Sequence, residues 1–366
     1  MKISDLPPEL LQVIVSLLSP KDICRVRLTC SELRDVCDLE TVWTKLCLRH
    51  HGMLLPAKDE FSPKAFYQKI LHKYGPAIGY WQEMDNGHYG GLLKAHFTES
   101  NTTFKLIKLK PESSDLSNDL ILEEWISITL EKGKISIKSE NLENAIDNFL
   151  FEDGGLSLTI SHQSLIGHWS QWSTVTGKFN LQKVLTPEWI SKYHGDHSSG
   201  NQQLNALAPG IFKGEYGSHG VELIHLLDGQ GVKVTGDDNV PFNKVTFRVT
   251  FGQKMDIPVE MQSNLHHLIK VTENKNDFEN YMVPPGEQDD DDLTYDFQIP
   301  PSMYYEGDIT WDKCLGRWLG EAQVAGSNYH HPSFIPANFI LFNEDEFAVM
   351  FLGLNCISMY KRVKSI

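Results

Sequence analysis

Nowhere in its 366 residues does the chain stay apolar for the ~20 positions a membrane helix needs, and the longest late run, 347–354, is far too short. Cysteine is scarce: six stand at 24, 30, 37, 47, 314 and 356 with no C-x-x-C pair. That spacing excludes a zinc ribbon and a secreted disulfide framework, and fits reduced thiols in cytoplasm and nucleus. Positive charge is also short. The net charge is −15, with residues 1–75 at +2 and the remainder at −17, so a nucleic-acid partner, which needs a basic surface, is not expected. No H-E-x-x-H, G-x-S-x-G or G-x-x-x-x-G-K motif occurs. Lys2, Asp5, Pro7, Pro8 and Glu9 interrupt the opening residues, so no secretory leader and no membrane partner are expected.

What is present begins with residues 6–47. Pro7 and Pro8 suit the opening turn of a helix, and Glu9 sits at the positive end of its dipole. Leu10, Leu11, Ile14, Leu17 and Leu18 follow at spacings of three and four, widened by Val13 and Val15. Ser19 and Asp22 form a capping box for a second helix, and Trp43 is large enough to lie across two helices. Three short helices cannot hide this much apolar surface among themselves. Some of it is expected to meet a partner.

The stretch resembles an F-box: an LPxELL opening at Leu6 to Leu11, a Val26-x-x-x-Cys30 step, and a Val42-Trp-x-x-Leu-Cys47 close, in that order. The resemblance implies a helical module that docks on a Skp-type adaptor, and through it on a cullin-RING ubiquitin ligase. It assigns adaptor contacts to Leu6, Pro7, Leu10, Leu11, Ile14, Leu17, Leu18, Val26, Cys30 and Trp43. The domain reading is F-box 1–50, linker helix 51–75 capped at Ser62, and substrate-recognition domain 76–366, together making an α+β protein.

From Gly75 onward the pattern alternates. Leu156, Leu158 and Ile160 form one set; Val245, Phe247, Val249 and Phe251 another. Further strands are read at 104–108, 134–138, 221–227, 232–235, 317–324 and 356–361, with a hairpin whose four-residue loop is 343–346. Many short strands with glycine turns predict a predominantly antiparallel β-barrel, closed or nearly so. Gly79-Tyr80-Trp81 weakly echoes a lipocalin-like opening. Residues 186–208 read as a short helix and polar loop, and 284–292 as an exposed acidic linker.

Two glycine motifs carry candidate chemistry. In Phe212-Lys-Gly-Glu-Tyr-Gly-Ser-His-Gly220 the glycines permit positive φ and close approach of a peptide, while Tyr216 and His219 supply polar tips; a tight hairpin without ligand fits equally well. In Val234-Thr-Gly-Asp-Asp-Asn-Val-Pro241, Asp237 reads either as a turn residue or as an acceptor that takes a terminal amide and repels a terminal carboxylate. These stretches, with His88-Tyr-Gly-Gly-Leu-Leu93 and Phe339 to Val363, resemble one subfamily of F-box receptors. The resemblance implies a barrel that captures the C-terminal tails of protein substrates, D-type cyclins and amide-ended proteins among them, and presents them for ubiquitination. Its implied contact set is Trp81, Tyr89, Gly90, Gly91, Lys213, Tyr216, Ser218, His219, Thr235, Asp237 and Asn239. Relatives carry a Cys/His cluster suited to zinc; this body holds only Cys314 and Cys356, so neither a structural metal nor any other cofactor is expected. The pairs His50-His51, His266-His267 and His330-His331 read as solvated surface. Two competing readings are a barrel that binds a sugar or small molecule through Trp81, Trp169, Trp172 and Trp189, and an enzyme using His219 with Asp237.

Overall fold

The computed structural model describes residues 3, 6–51, 62–83, 88–98, 103–111, 116, 119–131, 134–138, 146–152, 155–165, 172–184, 207–249, 254–284, 293–305 and 310–364; within these, the side chains of 125, 129–131, 134–138, 146–184 and 275–276 are outside the description. The expected helix and polar loop at 186–206 and the acidic segment 285–292 lie outside the described residues, as do Trp169 and Trp189. The chain divides into two compact units, one built from 1–81, 93–108 and 124–181 and the other from 82–92, 109–123 and 182–366.

The first unit begins with four helices: α1 Pro8–Leu17, α2 Pro20–Val26, α3 Ser31–Cys37 and α4 Glu40–His51. The capping box forms, Asp22 N donating to Ser19 Oγ at 3.2 Å and Ser19 Oγ to Asp22 Oδ2 at 2.7 Å. Arg49 from α4 donates to the Ser16 and Leu18 carbonyls at 2.8 and 2.9 Å, placing a cation on the negative end of α1. Trp43 does lie across helices, with its indole N–H on the Cys37 carbonyl at 2.8 Å. Ser62 caps α5 Pro63–Phe66, which continues as a π turn Tyr67–Leu71 and α6 His72–Tyr74. The ring of Tyr67 packs on Trp43 at 5.6 Å and that of Tyr74 stacks on Phe104 at 5.7 Å. This second helical stretch therefore joins α1–α4 to a β-sheet in one continuous apolar core that includes Trp81, Leu93, Ala95, Phe104, Ile126 and Ile128.

That sheet has eight strands in the order β5 (Lys134–Lys138), β4 (Ile121–Glu131), β3 (Thr103–Lys110), β2 (Leu92–Phe97), β1 (Gly79–Glu83), β8 (Trp172–Val184), β7 (Gly155–Leu165) and β6 (Ile146–Glu152). Gly79-Tyr80-Trp81 thus opens the sheet, not the barrel.

The barrel is made by later strands. It closes in the order β10 (Val221–Leu227), β11 (Gln230–Lys233), β12 (Val245–Val249), β15 (Gly316–Gly326), β16 (His330–Asn343), β17 (Glu346–Phe351), β18 (Cys356–Arg362) and β9 (Gly210–Glu215), antiparallel throughout. A closed antiparallel barrel, as the alternation predicts, leaves no exposed edge. Its interior is an aromatic stack: Phe347 lies 4.6 Å from Tyr360, 4.7 Å from Phe339 and 5.0 Å from Phe212. Gly214 is glycine because a Cβ there would collide with the Tyr360 ring. The short strands β13 Tyr295–Asp296 and β14 Lys313–Cys314 pair beside the barrel. With the helix Leu265–Glu273 they build a second core on the outer face of β16 and β17, burying Ile340, Phe342, Ala348 and Met350. Burial on both faces explains why those two strands read as apolar runs instead of alternating.

Candidate functional site

All the connections that surround the site fall at one end of the barrel: the Tyr216–Gly220 turn between β9 and β10, the 234–244 turn after β11, the end of β15, and the Phe351–Cys356 turn between β17 and β18. They enclose a cavity of about 460 Å³. Val240, Val324, Phe351 and Ile357 give it apolar walls, and Tyr304, Tyr305, Leu354 and His219 form an exposed rim. Lys233, Asp237, Tyr216, Thr246 and Ser358 supply the polar lining. Below it the aromatic stack fills the barrel, so the cavity is a dead end.

Asp237 is held by the local turn it helps to make. Its Oδ1 accepts the Asn239 and Val240 backbone N–H groups, both at 2.6 Å, and Oδ2 accepts Lys233 Nζ at 2.5 Å. The adjoining Gly236 could not carry a Cβ without striking Phe242 N and the His88 carbonyl. Residues 88–91 brace this turn from behind: Tyr89 O accepts Gly236 N at 2.8 Å, His88 O accepts Phe242 N at 3.0 Å, and Gly90 bridges Thr235. The Gln82 side-chain amide donates to the Val234 carbonyl at 2.9 Å. Asn239 fastens the turn to β15 through Ala325 O at 2.8 Å.

Lys233 is 1% exposed and contacts a second acid, Glu222, whose Oε2 lies 2.7 Å from Nζ. Neither Glu222 oxygen has an aligned hydrogen bond among the described residues. Burial raises the Glu222 carboxyl to about 8, helped by the Asp237 charge and opposed by Lys233. Burial also acts to raise Asp237, but the Lys233 charge and hydrogen bond and the Val240 N–H outweigh it and hold the group at about 2. The Tyr216 hydroxyl accepts from Tyr360 at 2.9 Å and pairs with Thr246 Oγ1 at 3.1 Å.

Of the expected substrate contacts, Tyr216, Ser218, His219, Asp237 and Asn239 meet around the cavity. Tyr89, Gly90, Gly91 and Thr235 are not in its lining; Gly90 and Thr235 pair behind it, where the Tyr89 carbonyl also bonds. Lys213 is opposite Leu223 on the outward-facing side of the β9–β10 pair, one residue out of phase with inward Gly214 and Phe212. Trp81 is buried in the other unit, its indole bonded to Ala77 O at 2.6 Å. No described tryptophan lines the cavity, and Asp237 bonds to Lys233, Asn239 and Val240 and not to His219. Lys233, Glu222, Thr246 and the Tyr304–Tyr305 lip escape a sequence reading. Glu222 alternates with apolar strand neighbours and so looks like a solvated face.

At the other functional surface Leu10, Val13, Ile14 and Leu17 stand exposed along α1, and Pro7 is exposed before it. Leu11 and Trp43 are buried inside the helical core, with Leu6, Leu18, Val26 and Cys30 half-buried against it. All six cysteines are unbridged. No described helix is long and apolar enough to cross a membrane.

Comparison with known proteins fits both surfaces. The F-box-like family matches residues 3–49, and the family described as the cyclin D1 binding domain matches 196–365. The chain is thus an F-box protein whose N-terminal helices are followed along the sequence by a closed antiparallel barrel. More particularly, it is an F-box protein of the F-box only protein 31 type. It is 23% identical to mouse F-box only protein 31, Mus musculus, over 99% of this chain and 84% of the relative, and 24% identical to F-box only protein 31-A of Xenopus laevis over 98% and 84%. The Homo sapiens F-box only protein 31 is 22% identical over 99% and 83%.

Proposed function

We propose that this chain is the non-catalytic substrate-recognition subunit of an SCF-type ubiquitin ligase, docked on a Skp-type adaptor by α1 and capturing substrate C-terminal tails in the barrel cavity. The observation that carries the reading is the dead-end cavity. A chain end enters such a space with one backbone, whereas an internal loop must bring two strands through the same opening. Apolar walls over a small polar floor suit a side chain or two followed by a terminal group. The cyclin D1 binding description of the matched family makes D-type cyclins the first tails to try. Unbridged cysteines fit a reducing compartment, and we place the protein in cytoplasm and nucleus. The test is a peptide library probed with the full chain, each sequence presented with its C-terminus free, amidated, or buried inside a longer peptide. Binding confined to exposed ends is expected; equal binding of internally placed sequences would sink the proposal.

A further inference from the structure

The three adjacent histidine pairs do not fold alike. On an α-helix or a regular strand, neighbouring side chains leave the backbone in different directions. His50 and His51, at the end of α4, keep to that rule: their ring centres are 6.2 Å apart, and His50 Nδ1 is already paired with the Tyr67 hydroxyl at 2.9 Å. His266 and His267 lie in the helix Leu265–Glu273, where the His267 ring packs edge-on against Tyr281 at 5.5 Å. His330 and His331 break the rule. They open β16, yet their ring centres are 4.4 Å apart, with the planes at 48°.

The backbone is what brings them together. Just ahead of the pair, Asn328 and Tyr329 have φ of 57° and 56°, and His331 itself has φ of 49°. Asparagine visits this left-handed region readily, whereas bulkier residues do so at a cost. His331 is doubly constrained, because it precedes Pro332, and a proline pushes the residue before it toward extended backbone. With φ reversed there, strand alternation fails for one step and the two imidazoles converge. The turn is held from several sides: Tyr329 N donates to Asp238 O at 3.1 Å, the Lys244 ammonium lies over the Tyr329 ring at 5.2 Å, and His330 pairs with Gly326 across the hairpin. Backbone strain persists where the surroundings enforce it, and it collects at ligand sites.

The protein makes no other use of the two rings. Both residues are exposed, and among the described residues neither ring has a hydrogen bond or a charged partner. Two unused imidazoles facing one another are a chelating pair for a first-row transition metal. Their spacing selects among the ions. With a metal–nitrogen bond of about 2.1 Å and a ring centre about 1 Å beyond, imidazoles bound at a right angle have centres about 4.5 Å apart, against about 5 Å or more at the tetrahedral angle. The observed 4.4 Å is close to the right-angle value. We propose that His330 and His331 form a bidentate site for a divalent transition metal that takes neighbouring ligands at right angles, Ni(II) or Cu(II), in preference to tetrahedral Zn(II). No group of three or more His, Cys, Asp or Glu suited to a metal occurs among the described residues, so an ion held by this pair keeps its other positions for water or for a donor from a docked protein.

The test is calorimetric titration of the full chain with nickel chloride, repeated with zinc chloride, on the unmodified protein, His330→Gln, His331→Gln and the double variant. Both side chains are exposed, so all four proteins should melt together; if one variant melts early, the other two decide. Metal taken up by the remaining histidines or the cysteines is common to all four and drops out of the comparison. The unmodified chain should bind one nickel ion more than the double variant. Either single change should weaken that site by about tenfold or more, because the second imidazole, held in place, acts at a high effective concentration. Zinc should bind there more weakly than nickel. Equal nickel stoichiometry and affinity in the unmodified and double-variant proteins overturns the proposal, since the rings then only stack. Single changes that weaken binding by less than about tenfold overturn chelation by the pair. Zinc bound at least as tightly as nickel overturns the right-angle site.

Discussion

A glutamine 1% exposed survives in a core when its whole amide is used, and Gln262 uses all of it. Nε2 donates to Ile257 O at 2.6 Å and Asp296 O at 2.8 Å, while Oε1 accepts Gln298 N and Arg317 Nη2, both at 2.8 Å. One side chain thereby ties the 254–298 insertion to β15. Gln262→Met keeps the volume and strands two carbonyls, an N–H and a buried guanidinium. Each orphaned group costs about 1–3 kcal/mol, so a fall of several kcal/mol in unfolding free energy is expected from denaturant titration. A loss below about 0.5 kcal/mol, the range of an ordinary surface change, would mean that water replaces the glutamine. Nothing in the sequence marks Gln262, because its partners come from 5 to 55 residues away. Asp237 is legible for the opposite reason: its turn bonds reach only two and three residues on, and Asp in such a turn is a local signal. Lys233 and Glu222 are hidden because a strand's alternation shows that two faces differ without saying which charges a closed barrel turns inward.

At the scale of elements, periodicity does better. The three-and-four spacing of α1, the Ser19 cap and the Ser62 cap all appear where the residues call for them, because each depends on neighbours within one helical turn. The 343–346 hairpin is tighter than its sequence suggests: Asn343 pairs with Glu346, leaving only Glu344 and Asp345 in the turn, with Asp345 N donating to Asn343 Oδ1 at 2.8 Å. Periodicity leaves open which side of α1 meets its own domain. The structure separates buried Leu11 and Val15 from exposed Leu10, Val13, Ile14 and Leu17. Changing Leu10 and Ile14 together to Asp should therefore spare the fold and strike the adaptor. Burying two unpaired carboxylates in an interface costs several kcal/mol, enough to abolish co-purification with a Skp-type adaptor, while the melting temperature should barely move. Normal recovery of the adaptor would place docking on another face; a collapsed melting transition would show these side chains to be structural.

For the whole molecule, strand alternation reads 76–366 as one barrel body, whereas the strands are shared between a sheet at 79–184 and a barrel at 210–362. Pairing between distant strands is a property of register and closure, which local alternation does not encode. The division of strands sets what a truncated chain can do. α1–α4 share one core with Tyr67, Tyr74 and the first four strands, so a chain cut to 61–366 exposes the faces of Phe66, Tyr67 and Ile70 that the helices cover. The barrel's own core comes entirely from residues 207–360 and its strands close on themselves, so 207–366 should unfold cooperatively alone while 61–366 aggregates. The shorter piece nevertheless loses residues 82–92, and with them the Tyr89 and His88 carbonyls that hold Gly236 N and Phe242 N, and the Gln82 amide on Val234 O. Each lost hydrogen bond is worth about 0.5–1.5 kcal/mol. Because all three end on the turn that carries Asp237, the isolated barrel should keep its fold and bind chain-end peptides less tightly than the full protein. Calorimetry on both pieces and peptide titration of the shorter one check this. A well-folded 61–366 would show that the helices dock on a core complete without them. Full-strength peptide binding by 207–366 would show that the turn needs no brace.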